Sequence, residues 1–350
     1  MKGKKLLYTV VALVVVVLAI VISDKLSKKA PSESSLKFFP ELKESNISAF
    51  TIKESNTSVK VRKKGDVWVV SPVDSSQKVT ASPLGTDASP SVGEYPADSA
   101  SVAAVLEKIA GMKKGELISE NPAKQTLFEV DSAKGILVEV FDGTGSSRGS
   151  FRIGKSGADW SSNYVRMVNS NSVYMVGGSI RYAFFSDLKR WRDKIIIKFD
   201  QSAAKRITLI KKDGSSVAVT KADTGNGWNI VEPVKSTAKV DQINEILGTI
   251  SRFTALDFED STLSDSEMGF NAPELSVVVG FSNDLTKKFV VGTKNSSSNY
   301  YVKTDEKPST VFLVAEYEID RINKGLKDLD ENPSVEETKP DTKKAGKKKK

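Results

Sequence analysis

The stretch GWNIVEPVKSTAKVDQINEIL at residues 227–247 decides the fold, because its opening repeats an earlier one. Residues 66–75 read DVWVVSPVDS. In both stretches a Trp lies among residues that favour β-strands, and a Pro and a Val follow it a few positions later. Trp68 and Trp228 are therefore expected to fill equivalent core positions in two copies of one structural unit.

The elements around each Trp recur in the same order. Two alternating strands joined by a turn come first, ISAFTIK and SVKVRKK in one copy and AKRITLIKK and SSVAVTK in the other. An apolar stripe then predicts a helix over residues 102–112, with Asp98 as its N-cap, and another over 240–253. Four strands and a helix close each copy, and these last helices are expected over 179–188 and 316–326.

A shared order of eight or nine elements indicates a duplicated unit of about 140 residues. We expect an α+β fold with two tandem domains, at residues 40–194 and 195–330, each a mostly antiparallel twisted sheet with a helix packed on one face. Trp191 is expected to pack where the copies join. An insert at residues 74–97 is rich in Ser, Pro and Gly, buries little apolar surface and is expected to be mobile.

Residues 6–22 form an apolar run without a charge. As a helix this run is about 26 Å long, close to the thickness of a bilayer's hydrocarbon core. It predicts one transmembrane helix before the domains, with residues 1–5 in the cytoplasm, a linker at residues 23–39, and the body periplasmic or otherwise outside the inner membrane. A cleaved signal peptide is the alternative, although its apolar region is usually shorter.

The net charge of +8 is concentrated at the two ends of the chain. Lysines flank the apolar run, and the last residues read KPDTKKAGKKKK, so residues 331–350 are expected to form a disordered, Lys-rich tail. The body between these ends is mildly acidic. We therefore expect no phosphate-binding face and no nucleic-acid partner.

The sequence contains no Cys and no His. Disulfides, thiolate nucleophiles, zinc sites built on Cys or His, and imidazole acid–base catalysis are thereby excluded. No glycine-rich phosphate loop follows a strand, and no calcium-loop pattern of carboxylates is present. We expect no cofactor, no metal site and no catalytic residue.

Trp160 is the first candidate for a binding residue. It lies in SGADWSSNY, a polar hairpin loop whose counterpart TKNSSSNY has no Trp. An aromatic side chain at a loop tip can anchor a partner or a sugar ring. The other candidate partner-binding residues lie in the strands that follow these loops and are Tyr164, Tyr300 and Tyr301.

Carboxylates form a second candidate group, at Asp257, Glu259 and Asp260 in the second copy and at Glu116 and Glu120 in the first. Strand alternation places Asp257 and Glu259 on one side, as the paired carboxylates of a glycoside hydrolase require. Solvated charges at the edge of a strand are the simpler interpretation.

The chain resembles bacterial envelope proteins grouped as domain of unknown function 4340. The resemblance rests on the basic N-terminus with one apolar segment, FFPEL near Phe38, a Trp followed by Pro-Val in both copies, MGFNAPELSVVV at residues 268–279, and YYVK with VFLV near the end. It covers residues 38–330. The family has no established activity, and some members resemble accessory parts of ABC-type transport systems linked to gliding motility.

Together these features predict a non-catalytic, membrane-anchored envelope module that binds protein partners. An ABC-type transporter is one such partner, and residues 6–22 would hold the chain in the inner membrane. Two related surfaces beside one membrane would raise the effective concentration of a partner. The alternative is a carboxylate-dependent hydrolase or a glycan-binding protein of the cell envelope, using Asp257, Glu259 or Trp160.

Overall fold

The computed structural model describes residues 37–73 and 93–332. The chain divides into two compact units, Met1–Asp193 and Lys194–Lys350. The predicted anchor at residues 6–22, residues 74–92 of the predicted insert and the tail beyond residue 332 lie outside the described residues. Within the described ranges, no helix is both long and apolar enough to span a bilayer.

An antiparallel sheet of nine described strands forms the first unit. In chain order the strands are β1 (Ala49–Glu54), β2 (Thr57–Lys64), β3 (Val67–Pro72), β4 (Tyr95–Pro96), β5 (Leu117–Ser119), β6 (Ile136–Phe141), β7 (Ser147–Ser156), β8 (Ser162–Met167) and β9 (Val173–Gly177). Across the sheet they run β4-β3-β2-β1-β6-β7-β8-β9-β5. The helices of this unit are α1 (Ser99–Gly111) and the short α2 (Leu188–Trp191).

The second unit repeats this arrangement. Its strands are β10 (Ile195–Lys198), β11 (Ala204–Lys211), β12 (Ser216–Lys221), β13 (Trp228–Glu232), β14 (Ser236–Thr237), β15 (Arg252–Thr254), β16 (Asp257–Glu259), β17 (Leu275–Phe281), β18 (Thr286–Lys294), β19 (Asn299–Thr304) and β20 (Val311–Ala315). The large sheet runs β14-β13-β12-β11-β17-β18-β19-β20-β16, while β10 pairs with β15 separately. The helices are α3 (Val240–Ile250), α4 (Glu316–Ile322) and α5 (Leu326–Leu329).

The predicted α+β class is wrong, because antiparallel sheet dominates both units. Only α1, with 13 residues, and α3, with 11 residues, exceed two turns among the described helices. The helix predicted over 179–188 is instead a 3₁₀ turn, Ile180–Ala183, followed by the four-residue α2. The Asp187 carboxylate starts α2 by accepting the Lys189 N–H at 2.9 Å, which interrupts the predicted helix. The helix predicted over 316–326 is likewise divided into α4 and α5.

Each long helix buries one apolar stripe against its own sheet. Asp98 caps α1 because its carboxylate accepts the Ser101 N–H at 2.9 Å and the Ser101 hydroxyl at 2.6 Å. The stripe of α1 contains the buried side chains of Val102, Val105, Leu106 and Ile109. In α3 the stripe contains Ile243, Ile246, Leu247 and Ile250. These stripes face strands whose alternate residues point into the same core.

The two Trp strands occupy equivalent places in the two sheets. The Trp68 carbonyl accepts the Ala97 N–H at 2.9 Å, and the Trp228 carbonyl accepts the Ala238 N–H at the same distance. The environments differ, since Trp228 is buried and Trp68 is half-buried at the margin of its core. The backbone position is therefore common to both units, whereas the side-chain packing has diverged.

Several predicted boundaries shift once the chain is folded. The predicted linker at 23–39 includes Phe38 and Phe39, yet both rings are buried in the first core. The predicted insert at 74–97 includes β4 and the buried Glu94, whose carboxylate binds Arg62 at 2.5 Å. Trp191 lies in the core of the first unit, where its indole N–H donates to the Phe185 carbonyl at 2.8 Å.

Two glycines at matching positions allow a loop to approach the sheet closely. A Cβ on Gly154 would lie 2.1 Å from the Phe128 carbonyl oxygen, and one on Gly292 would lie 2.0 Å from that of Met268. The same carbonyls accept the N–H of Lys155 at 3.2 Å and of Thr293 at 2.9 Å. No other side chain leaves room for these hydrogen bonds, which explains why Gly recurs at both positions.

We expect Gly154→Ala and Gly292→Ala each to lower the free energy of unfolding by roughly 1–3 kcal/mol, because the added methyl group forces the loop off the sheet. Gly248→Ala in α3 is the control, since nothing lies within 4 Å of its Cβ position. It should raise stability by about 0.5–1 kcal/mol. Urea unfolding followed by circular dichroism measures all three, and a neutral Gly154→Ala would contradict the close approach.

Candidate functional site

The hairpin loop between β7 and β8 is held by one carboxylate. Oδ1 of Asp159 accepts the N–H groups of Ser161 at 3.2 Å and Ser162 at 3.1 Å, and it accepts the Ser162 hydroxyl at 2.6 Å. Oδ2 accepts the Ser161 hydroxyl at 2.9 Å. These hydrogen bonds, led by those of the Ser162 and Ser161 hydroxyls, hold the pKa of Asp159 below its usual value. The loop is therefore fixed by its own side chains rather than by a partner.

Trp160 stands at the tip of this loop and faces solvent. Its backbone is left-handed, with φ of 59°, and 82% of its surface is exposed. The matching tip of the second unit, Ser298, has the same backbone conformation, with φ of 61°. The Trp160 N–H donates to the Gly157 carbonyl at 3.1 Å, and the Ser298 N–H donates to the Asn295 carbonyl at the same distance. A large side chain at such a φ is uncommon. The first unit thus carries an exposed indole where the second carries a Ser.

Trp160 borders a groove that also contains other aromatic rings. The groove encloses about 370 Å³, and Tyr182, Phe185 and Arg190 line it beside Trp160. Tyr182 is 67% exposed. The Arg190 guanidinium lies 4.0 Å from the centre of the Phe185 ring, as in a cation–π contact. We call this feature, bounded by Trp160, Tyr182, Phe185 and Arg190, the aromatic groove.

An ion pair also lines the aromatic groove. Arg181 donates to the Glu54 carboxylate at 2.6 Å and to the carbonyl groups of Ile153 and Gly154, both at 3.2 Å. The Arg181 backbone N–H donates to Oδ1 of Asn163 at 3.1 Å. The Arg181 guanidinium is therefore held by three acceptors, so the groove is lined by a fixed ion pair as well as by aromatic rings.

The three candidate tyrosines lie elsewhere. Tyr164 packs against Phe128, with ring centres 4.8 Å apart, and is half-buried. Tyr300 is half-buried beneath the Lys294 ammonium, 5.0 Å from its ring centre. Tyr301 is buried in a small cluster with Met268 and Leu313. None of the three lines the aromatic groove, and two belong to the other unit.

Tyr301 matches Tyr164 in register, because their neighbours Val302 and Val165 lie opposite Val291 and Ile153 in the two sheets. Burial, and then the charge of Glu259, raise the pKa of the Tyr301 phenol. Tyr164 and Tyr301 thus cover the same part of the outer sheet surface in the two units. Packing on that surface therefore accounts for the presence of a Tyr at both positions.

The candidate carboxylates occupy the edge strands. Asp257 and Glu259 lie on β16 opposite Leu313 and Val311, with Phe258 between them pointing into the core. Glu259 accepts the Ser261 N–H at 2.9 Å. Glu120, beside the equivalent edge strand β5 of the first unit, accepts the Ser172 hydroxyl at 3.1 Å. Among the described residues, no three acidic side chains are grouped so that they could hold a metal ion.

The sequence identified Trp160 as a candidate binding residue, but it did not identify the other residues that bound the aromatic groove. Tyr182 and Phe185 lie in the segment that was expected to be a helix, residues 179–188, and Arg190 follows that segment. A dense alternation of aromatic and basic residues was the available signal. The contact between Glu54 and Arg181 spans 127 positions in sequence and has no local signature.

Comparison with known proteins identifies a family and no individual relative. No curated protein and no solved structure matches this chain. The model of one protein family, Domain of unknown function (DUF4340), matches residues 88–273 and, in a second overlapping match, residues 228–332. The first match crosses from one unit into the other, and the second begins at Trp228. These matches extend over more than half of the chain and confirm the resemblance, so the protein belongs to the DUF4340 family.

Proposed function

We propose that this protein is a non-catalytic binding module of the bacterial envelope, which holds a segment of a protein partner in the aromatic groove. In this proposal residues 6–22 anchor the chain in the inner membrane and the two units lie on the extracytoplasmic side. The partner is another envelope or membrane protein. An ABC-type transporter, with this chain as its accessory subunit, fits the proposal best because of the resemblance noted in the sequence.

The observation that carries the proposal is the exposure of Trp160 on a fixed loop. Tryptophan, tyrosine and arginine contribute most to the binding energy of protein interfaces, and the groove offers all three. The hydrogen bonds to Asp159 order the loop in the free protein. A partner therefore loses little free energy to loop ordering when it buries the indole.

The second unit supports the proposal by contrast. Its matching loop has the same left-handed tip, but Ser298 replaces Trp160. The indole is therefore not needed for the hairpin, since the duplicated hairpin forms without it. Trp160 is also not isolated, since the exposed Tyr182 lines the same groove, and grouped apolar side chains kept in water are typical of a binding surface.

The two alternative functions, a hydrolase and a glycan-binding protein, would use different residues of the chain. A carboxylate-dependent hydrolase would use Asp257 and Glu259, which lie on an edge strand in the unit that lacks the groove. A glycan-binding protein would use the groove itself, because aromatic faces also stack on sugar rings and the Glu54 carboxylate could accept hydrogen bonds from hydroxyl groups. We favour a protein partner because an arginine already occupies the face of Phe185, which leaves fewer open ring faces for sugars.

Trp160→Asn tests the groove, because Asn tolerates left-handed backbone and removes only the ring. We expect in-cell crosslinking and affinity purification of the full chain to recover a defined membrane partner. The dissociation constant of the purified pair should rise at least about tenfold in the variant. The melting temperature should stay nearly unchanged, because the ring is 82% exposed.

Tyr317→Ala is the matched control, since it removes an aromatic side chain that is 61% exposed in the other unit. Partner binding should survive this substitution. Recovery of no membrane protein, together with binding of purified envelope glycans that Trp160→Asn abolishes, would replace the proposal by the glycan-binding alternative. Glycan cleavage that is lost on Asp257→Asn would favour the hydrolase.

The anchor has its own test, which does not depend on the groove. The full chain should stay with the membrane after carbonate extraction, and protease should reach the body only from the periplasmic side. A chain beginning at residue 37 should be released. A mature form that lacks residues 1–23, found in the soluble envelope fraction, would contradict the anchor and support a cleaved signal peptide.

A further inference from the structure

A second surface of the first unit carries unpaired positive charge. The outer face of the first sheet, which points away from α1, displays the residues that alternate with buried Ile52, Val59 and Val138. Strand pairing sets Lys53 opposite Leu137, and Leu137 opposite Arg152, so that one row crosses three neighbouring strands. Adjacent partners across strands lie about 5 Å apart, which places the Cα atoms of Lys53 and Arg152 about 10 Å apart.

A shallow cavity lies between these two cations. It encloses about 470 Å³, and its lining includes Lys53, Asn56, Ser132, Leu137 and Arg152. Arg152 is held in place because one of its guanidinium nitrogens donates to the Gly135 carbonyl at 3.3 Å. The remaining guanidinium donors and the Lys53 ammonium border a space large enough for a carboxylate side chain.

Lys60 extends the positive charge along the next row of the sheet. It lies opposite Thr51, which in turn lies opposite Glu139. The Glu139 carboxylate already accepts the Thr51 hydroxyl at 3.1 Å. Burial, and then the nearby charge of Arg62, lower the pKa of Lys60. Within the described residues, no ion pair joins Lys53, Lys60 or Arg152 to a carboxylate.

The second unit shows that the fold does not require these charges. The same register in its sheet places Ile210 at the position of Lys53, Ala218 at that of Lys60 and Val290 at that of Arg152. Glu139 is likewise matched by Val278. A nine-stranded sheet of identical order therefore forms with uncharged residues at all four positions. The cations of the first unit need another explanation.

We propose that the outer face of the first sheet is a docking surface for an acidic polypeptide segment, with a carboxylate side chain of that segment bound between Lys53 and Arg152. Charge complementarity identifies the partner, because none of the three cations forms an ion pair with a described carboxylate, although Glu139 lies on the same face and binds Thr51. A polypeptide fits better than a bilayer, since Lys60 and Arg152 are half-buried among neighbouring side chains and a flat lipid surface reaches only protruding ones.

A single introduced thiol can report on this surface, because the natural sequence has no Cys. Ser58→Cys places the thiol beside Lys53, opposite it on β2, while Ser216→Cys places it at the matching point of the second sheet. Each variant of the full chain is labelled with an environment-sensitive dye and titrated with a short poly-glutamate peptide. We expect the dye at residue 58 to respond, with an affinity that falls as salt rises, and the dye at residue 216 to stay silent.

The triple substitution Lys53→Gln, Lys60→Gln and Arg152→Gln should weaken the response at residue 58 by about tenfold or more. Its matched control removes the same charge from exposed positions of the second unit: Lys198→Gln, Lys205→Gln and Lys235→Gln. This control should leave the response unchanged. If the Gln triple fails to fold, Lys53→Ile with Arg152→Val provides a second variant, because the other sheet accepts those residues at the same positions.

Equal responses at residues 58 and 216, or a response that survives the triple substitution, would overturn the proposal. A dye response to phosphatidylglycerol vesicles without one to poly-glutamate would also overturn it in favour of a lipid surface. Trp160→Asn should leave the response at residue 58 intact. The proposed docking surface for an acidic segment and the aromatic groove can therefore fail independently of each other.

Discussion

Each unit depends on one long-range strand pair, β1 with β6 and β11 with β17. Ile52 lies opposite Val138, and Leu209 lies opposite Val277, with all four side chains buried. This pair joins the meander before the long helix to the meander after it, so the helix lies over a continuous apolar face. The pairing closes a loop of about 80 residues in the first unit and about 65 in the second. It must therefore form late or through the hydrophobic collapse that the helix stripe assists. The hairpins, the helix caps and the loop tips are all built on the sheet that this strand pair holds together.

The sequence predicted the elements whose pattern is local. Both helix stripes and the alternating strands could be recognised because periods of 2 and 3.6 are visible within a few residues. The balance between sheet and helix was not predictable in this way. Edge strands of two or three residues, such as Tyr95–Pro96 and Leu117–Ser119, carry no period, and they form only because a longer strand offers hydrogen bonds. The segment 179–188 was expected to be one helix, but it contains only a 3₁₀ turn at Ile180–Ala183 and the start of the four-residue α2.

The candidate site was only partly predictable for the same reason. Trp160 could be found because a Trp in a polar loop is unusual, whereas its neighbours are assembled by contacts that span most of the unit. The three candidate tyrosines looked similar in sequence, yet they pack on their own sheets. The duplication helps here, because each unit shows which residues the shared fold can lack. Ser298 in place of Trp160, and Ala218 in place of Lys60, separate residues that maintain the fold from residues that serve a surface of one unit.

The central claim is that the first unit binds a protein partner through a surface that the second unit lacks. A photo-reactive aromatic amino acid tests this claim in living cells when it is placed at position 160, where it keeps a large ring in place of the indole, and separately at the equivalent position 298. The two side chains would occupy matching left-handed tips, so only the surrounding surface differs. We predict that position 160 yields one defined adduct with a membrane or envelope protein and that position 298 does not. The same adducts from both positions, or adducts from 298 alone, would contradict the account.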